Sequence, residues 1–569
     1  MTNIMKKTML SALLWACTLM PAWAQYPQWF SDAKLGIMVH YGLYSLPSYS
    51  GKEQYAEWFY KGLISDDTLR INFQKRVYGE DFQYFDYMRL FRAELFDAQE
   101  WTRLFREAGA RYIVFTTKHH DGFCLYPSRF TSLNVSHTPA GRDLVGELCQ
   151  AARKDSLHVG LYYSLPEWTN PLFRWTIDTD TAMLRRYVTQ HLQPQFREII
   201  DLYRPELLFL DGDWDFTADQ LRTRELAAYH RQVVGANAIV NNRVGKGWDY
   251  GYLTPEYSSG IQETDRPWAE CRSIARSFGL NRASALEDYQ SADELVRHFA
   301  QLVSLGGGLM LNVAPAADGR IPLLQQERLK QLGQWLALNG EAIYGARSAG
   351  LPMQTRRETR HRTDSLIDFD WVRNGPCPGA TEDAFHITWN GTLQVDKAQE
   401  YTFMLDADDS ASLCLARATD TLLLSAATSQ QPLRRTLRLE PGQYALWVDY
   451  TERDVDASCH LRCAVADGPE APLRSATGWQ AEISWNTPEV CFTANHGNLY
   501  AIALRPLGDS LVLQLPARQG GGALPSVRLL GCDKTLPCAA RNGSLTVDLT
   551  PLRPRDVLGQ HAWVFKISQ

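Results

Sequence analysis

Residues 206–216 read Glu206-Leu207-Leu208-Phe209-Leu210-Asp211-Gly212-Asp213-Trp214-Asp215-Phe216. Residues 207–210 are a short apolar run without alternation, the pattern of a parallel strand buried on both faces. The run stops at a cluster of acids, Asp211, Asp213 and Asp215. An α/β barrel places its chemistry at the carboxyl ends of such strands, which makes a carboxylate there a candidate for catalysis. Gly212 lets the chain turn and keeps space beside Asp211. Taken alone, the segment equally describes an Asp that caps a helix or closes a turn. The surrounding chain separates the two.

Strand-like runs at 35–39, 112–117, 159–164, 207–210, 238–242 and 309–313 alternate with helical periodicity at 100–110, 143–154, 181–203, 221–234 and 322–344. Such alternation calls for right-handed parallel βαβ units in a barrel or a doubly wound sheet. The Gly-x-Gly-x-x-Gly loop that would favour a dinucleotide fold is missing after the first strand. Instead polar residues stand at the strand ends: His40, His119, His120, Tyr162, Asp211 and Arg243. In a (β/α)8-like TIM barrel they converge on one mouth. Beyond residue 344 the texture changes: 355–364 is basic and polar without periodicity, then short alternating strands with turn signals run to the end. The expected organisation is a barrel over 25–350, a linker at 351–368, a β-sandwich over 369–470 and a second β-sandwich over 471–569.

At 569 residues the chain exceeds one hydrophobic core. A net charge of −6 leaves no electrostatic footprint for nucleic acid. The 17 Trp and 25 Tyr suit sugar binding, because the apolar face of a pyranose packs on a flat ring, but they suit a core as well. Lys6 and Lys7 precede an apolar run at 9–20, and Ala22-Trp23-Ala24 fits a cleavage site. A signal peptide at 1–24 and an exported protein, periplasmic or secreted, are therefore expected, with lipid anchoring at Cys17 as the lesser alternative. The run is too short for a permanent span, and a transmembrane segment is not expected elsewhere. The ten remaining cysteines form no Cys-x-x-Cys pair and no metal-ligand spacing; Cys459 with Cys463, or Cys532 with Cys538, are the pairs an oxidising compartment would offer.

Several strand-end motifs together resemble glycoside hydrolase family 29, the retaining α-L-fucosidases. They are Gly36-Ile37-Met38-Val39-His40-Tyr41-Gly42, Glu57-Trp58, Thr117-Lys118-His119-His120-Asp121-Gly122-Phe123, Gly160-Leu161-Tyr162-Tyr163-Ser164, Asp211-Gly212 and Asn312-Val313-Ala314-Pro315. Residues 479–569 look like that family's C-terminal β-sandwich. The region around Trp389-Asn390-Gly391 and Asp406-Ala407-Asp408-Asp409 is similar to a PA14-type module.

The resemblance implies an exo-acting hydrolase that removes terminal fucose from an oligosaccharide or glycoconjugate, with Asp211 as nucleophile and no metal or cofactor. It also implies that His40, Glu57, Trp58, His119, His120, Tyr162 and Arg243 hold the sugar, and Trp58 and Phe278 offer apolar surface to the 6-methyl group. The acid/base is where the chain departs from the pattern. Family members read Trp-Glu-x-Cys where this chain reads Trp268-Ala269-Glu270-Cys271. Glu270 serves if the loop is shifted by one residue, yet in a regularly extended segment that offset aims the side chain at the opposite face. Glu256 and Glu57 are the other candidates. Ala269 motivates a rival reading, a non-catalytic fucose-binding protein on a decayed barrel, and an adhesion protein built on the two β modules is a third.

Overall fold

The computed structural model describes residues 26–568 other than 53, 174–180, 258–263, 373–374, 418–419, 429–430, 454–456, 467 and 517–523. The expected signal peptide and Cys17 lie outside the described residues. The chain divides into two compact units, 1–351 with 492–569, and 352–491.

The first unit is built on seven parallel strands: β1 (Leu35–Val39), β2 (Tyr112–Lys118), β3 (His158–Ser164), β4 (Leu207–Asp211), β5 (Ile239–Val240), β6 (Ala269–Ser273) and β7 (Gly308–Val313), in the order β5-β4-β3-β2-β1-β7-β6. Nearly every strand residue is buried, as continuous apolar runs require when both faces are covered. Three of the helices between them start at side-chain caps: Asp97 accepts from the amides of Gln99 and Glu100, Asp143 from Gly146, and Ser291 pairs with Glu294 in a capping box.

The gap between β5 and β6 is closed by an irregular stave, residues 252–256, that makes isolated parallel bridges to both edges. Asn241 pairs with Tyr252, Leu253 with Trp268, and Glu256 with Cys271. The amides of Tyr252 and Asn242 exchange bonds across one side, and those of Leu253, Ala269 and Cys271 across the other. An eight-membered (β/α) barrel results, in which one member has no strand regularity. The segment escapes sequence detection because Thr254-Pro255-Glu256-Tyr257 shows neither alternation nor an apolar run, and Pro255 has no amide to give to a ladder.

The expected helix at 181–203 is divided: Thr181–Tyr187 and Gln193–Tyr203 flank a π-helical turn, Val188–Leu192. That turn aims His191 inward, where Nε2 lies 2.7 Å from Glu167 Oε2. Also in the first unit, Asn498–Ala503, Trp563–Ser568 and Ser526–Leu529 form an antiparallel sheet. It is docked on the last barrel helix through Trp335 Nε1 to the Ala562 carbonyl (2.9 Å) and Tyr500 to Glu341 (2.5 Å).

The second unit is a β-sandwich. One sheet contains Asp368–Val372, Ala457–Val465, Gln399–Ala407 and Leu433–Leu439; the other contains Asp420–Ala427, Ser410–Arg417, Gly442–Thr451, Phe385–Val395 and residues 479–490. Trp389, Trp479, Phe403, Leu405, Leu446 and Val448 fill the space between them. Two expectations are corrected. The supposed linker contains an eleven-residue strand, Gln354–Asp364, paired with 479–490. It is mostly exposed, so no hydrophobic alternation marks it, and arginine on an exposed strand is a common guard against edge-to-edge pairing. The later boundary lies at 491/492 and not 470/471, because residues 479–490 pair within this unit.

All ten described cysteines are free thiols. Cys459 and Cys463 lie four residues apart on one strand, about 13 Å along it, too far for a disulfide. Among the described residues no helix is long and apolar enough to cross a membrane. One acidic group with metal-binding spacing, Asp408, Asp409 and Glu452, lies in the second unit, where the sequence pattern had suggested none.

Candidate active site

Strand register brings the expected residues to one end of the barrel. Ser164 pairs with Asp211, and Met38 with Asn312, so the carboxyl ends of β3 and β4, and of β1 and β7, are level. Asn241 holds the β4 end in place of a fully formed β5: its side-chain amide donates to the Leu210 carbonyl (2.8 Å) and accepts from the Leu210 amide (3.0 Å).

Asp211 Oδ2 accepts hydrogen bonds from the Tyr162 hydroxyl (2.7 Å) and His120 Nε2 (3.2 Å), while Oδ1 accepts from Arg243 Nη1 (3.1 Å). Burial alone would raise this carboxyl, but the His120 bond, the Arg243 charge and the Tyr162 bond outweigh it and hold it well below the usual range. Asp211 is thus an anion at any working pH, and 14% of its side chain stays open. His120 Nδ1 faces the Pro166 carbonyl at 3.3 Å, so both ring nitrogens meet acceptors.

Arg243 is shared by two carboxylates. Its Nη2 donates to Glu256 Oε2 (3.1 Å) and to the Thr254 carbonyl (3.1 Å), and its Nε donates to Thr254 Oγ1 (3.1 Å). Asn242 Oδ1 accepts from the Thr254 amide and hydroxyl, which ties the irregular stave to the residue preceding Arg243. The second Glu256 oxygen, Oε1, accepts from the Tyr55 hydroxyl at 2.7 Å. Asp211 and Glu256 therefore sit on opposite arms of a single guanidinium.

Glu270 is elsewhere. In β6 the side chains of Ala269 and Cys271 join the apolar filling of the barrel, while Glu270 between them points outward, fully buried, onto Arg272 Nε (2.8 Å) and His298 of the helix Ala292–Ser304. It is also low in the barrel: Glu270 pairs with Leu309, which pairs with Leu35, the first residue of β1. Burial opposes its charge, but His298 and Arg272 hold its carboxyl down at about 2. Glu270 is thus held in a buried ion-pair network with Arg272 and His298. The alternation of an extended strand produces this outcome.

The remaining expected residues line the mouth. His40 Nδ1 meets Asn312 Oδ1 at 2.7 Å, and Asn312 Nδ2 donates to the Phe278 carbonyl (2.7 Å). This fixes Nδ1 of His40 as the donor and leaves Nε2 as an acceptor. Burial lowers the ring to about 4, which keeps it neutral. His119, stacked parallel to Tyr162 at 5.7 Å, has a buried Nδ1 without a hydrogen-bond partner. Trp58, Trp168 and Trp214 surround His120, with the Trp168 ring stacked on it at 4.7 Å. Phe278 packs against His40, Tyr55 and Tyr257. Behind this wall, Lys118 is buried against Glu167 (2.9 Å), and that ion pair with His191 holds the Glu167 carboxyl at about 2.

Glu57 is buried beside the mouth and accepts from the Gly279 amide (2.7 Å) and the Ser277 hydroxyl (3.1 Å). Burial pushes its carboxyl up from 4.5 to about 7 in spite of those bonds. Because the folded value lies above the unfolded one, its contribution to stability is complete below pH 4.5 and is lost as pH rises through about 7. Glu57→Gln is therefore expected to flatten the decline in unfolding free energy between those limits, by up to about 3 kcal/mol. Urea titrations across the range check this, and parallel curves for the two proteins would refute it.

A family model described as alpha-L-fucosidase matches residues 18–341. The chain belongs to the α-L-fucosidase family. It is a glycoside hydrolase, and two further matches, to a PA14 domain at 342–467 and to an alpha-L-fucosidase C-terminal domain at 484–568, follow the barrel in order. An alpha-L-fucosidase of Dictyostelium discoideum is 34% identical over 342 residues, which is 57% of this chain and 74% of that protein. The tissue alpha-L-fucosidase of Homo sapiens is 35% identical over 331 residues, 56% of this chain and 70% of that one. The crystal structure of a Thermotoga maritima alpha-fucosidase with a mechanism-based inhibitor superposes with a TM-score of 0.63 at 25% identity, covering 96% of this chain and 97% of that one. Family membership makes a fucosylated glycan the substrate class.

Tyr55, Asn241, Asn242, Thr254 and Asn312 were missed from sequence. Each acts by supporting another part of the barrel mouth, a strand end in the case of Asn241 and Glu256 over 201 residues in the case of Tyr55, and one-dimensional spacing carries no trace of such pairs.

Proposed function

We propose that this chain is an exported, exo-acting α-L-fucosidase that releases terminal fucose with retention, Asp211 being the nucleophile and Glu256 the acid/base. The observation that carries the proposal is the sharing of Arg243: one guanidinium holds both carboxylates at the barrel mouth. An Asp211 oxygen attacks the anomeric carbon while the glycosidic C–O bond breaks and the Glu256 proton passes to the leaving oxygen. Water then attacks the fucosyl-enzyme and returns its proton to Glu256, and the carbon–Asp211 bond breaks to regenerate the carboxylate. Neutral His40 and His119, Trp58 and Phe278 supply the acceptors and apolar wall that a deoxy sugar with three hydroxyls needs.

The decayed-barrel reading loses its motive. Ala269 is the first residue of β6, level with Gly308 and facing the closed interior, so a carboxylate there would not reach the mouth. The deciding assay compares Glu256→Gln with Glu270→Gln on 4-nitrophenyl α-L-fucoside and on a fucosylated oligosaccharide. Glu256→Gln is expected to lose about 10² to 10⁴ in kcat/KM on the oligosaccharide and much less on the aryl fucoside, whose leaving group barely needs a proton. Glu270→Gln should keep the wild-type ratio of the two rates. The reverse pattern would return the acid to Glu270. Export rests on the N-terminal Lys6-Lys7, the apolar run and Ala22-Trp23-Ala24; a mature N-terminus at Gln25 is the result expected from sequencing the exported protein.

A further inference from the structure

We propose that Tyr55 is the positioning residue of the acid/base, its phenol holding one oxygen of the Glu256 carboxyl while Arg243 meets the other. The proposal rests on the assignment of Glu256 above. The Tyr55 hydroxyl donates to Oε1 at 2.7 Å, and Arg243 Nη2 donates to Oε2 at 3.1 Å. A carboxylate satisfies both donors. The phenol can accept as well as donate, so its bond to Oε1 persists whether the carboxyl is ionised or protonated, whereas Arg243 can only donate. Tyr55 therefore holds Oε1 in both protonation states and fixes where the carboxyl stands through the proton's departure and return.

Tyr55 is itself held firmly. Its carbonyl accepts from Arg70 Nη2 (3.0 Å), and the next amide, of Ala56, donates to Ser277 Oγ (2.8 Å), the same hydroxyl that serves Glu57. Its ring packs on Phe278 at 5.7 Å and lies 6.3 Å from Trp58. The residue thus joins the apolar wall expected for the fucose methyl to the acid/base, so that seating the sugar and aiming the proton share one side chain.

The test is Tyr55→Phe in the full chain, which keeps the ring and removes only the hydroxyl, assayed on a fucosylated oligosaccharide and on α-L-fucosyl fluoride. Fluoride departs with little need of an acid, so its turnover also reports an intact fold and sugar site. Tyr55→Phe is expected to lower kcat/KM about 10- to 100-fold on the oligosaccharide and to leave the fluoride within about twofold. Equal losses on both substrates, or a change confined to KM, would overturn the proposal in favour of a plain wall residue. Glu256→Gln runs in parallel. If it fails to separate the two substrates, the acid/base assignment falls and takes this inference with it; if it separates them and Tyr55→Phe does not, only the role of Tyr55 falls. The double variant should be no slower than Glu256→Gln, and an additional loss would show that Tyr55 acts on something other than that carboxyl.

Discussion

Asp211→Ala is expected to lower kcat/KM on 4-nitrophenyl α-L-fucoside by about 10⁴-fold or more, and added azide should restore turnover with formation of β-L-fucosyl azide. The size of the loss follows from the state of the carboxyl. His120, Arg243 and Tyr162 together keep it ionised despite burial, so the proposed nucleophile needs no activation step. Ala leaves a space open to the mouth, which a small anion can enter from the side Asp211 occupied. Azide attacking there inverts the α-configured substrate, so the β-azide identifies Asp211 as the group on the attacking face. An α-azide, or residual activity within about tenfold of wild type, would remove Asp211 from the reaction and with it the retaining mechanism.

The second large effect is expected at Arg243. Arg243→Met removes a cation that four hydrogen bonds hold against Asp211, Glu256 and Thr254, and leaves Asp211 only His120 and Tyr162 and Glu256 only Tyr55 among the partners described above. Removing one partner of a buried charge network typically costs about 3 to 5 kcal/mol, and with this guanidinium 18% exposed the lower figure applies. Activity should fall by about 10² or more, because both reacting groups lose their anchor. The loss also has a signature in pH. In the wild type the depressed Asp211 carboxyl contributes stability that is present above its ordinary value of 3.8 and lost as pH falls through its lower folded value. Without Arg243 much of that contribution is gone, so the stability gap between the two proteins should be widest above about pH 4 and close below it. Denaturant midpoints measured from neutral to acid pH would show the gap; one of constant width would mean that Arg243 does not act through the carboxylates.

The parts of this enzyme that could be read in advance are those in which one residue reports its own environment. Asp211 ends an apolar run and is the last residue of its strand, His40 follows β1 directly, and Tyr162 lies two residues before the end of β3, so the strand pattern located all three. The acid/base was harder because motif counting is one-dimensional. Counting put Glu270 one place from the expected position, whereas a strand inverts direction at every residue, so a near match in sequence is an opposite in space. Glu256, already one of the three candidates in the sequence, is set apart by Arg243 and Tyr55, partners 13 and 201 residues away. The exposed strand Gln354–Asp364 stayed hidden for a related reason: it is recognisable by its pairing with 479–490 and not by any pattern of its own side chains.

The stave at 252–256 gives the two carboxylates different histories open to them. Asp211 is the last residue of a strand laddered to β3, and an insertion or deletion before it would slide every buried side chain of β4 to the wrong face. Glu256 stands on a segment fastened by isolated bridges and a few side-chain bonds, and among the described residues between β5 and β6 there is no helix to carry along. Length changes there alter where the acid stands without unpacking the barrel. With Glu256 as the proposed acid/base, the proton donor could thus be re-aimed by changing the length of this stave while β4 keeps Asp211 where it is.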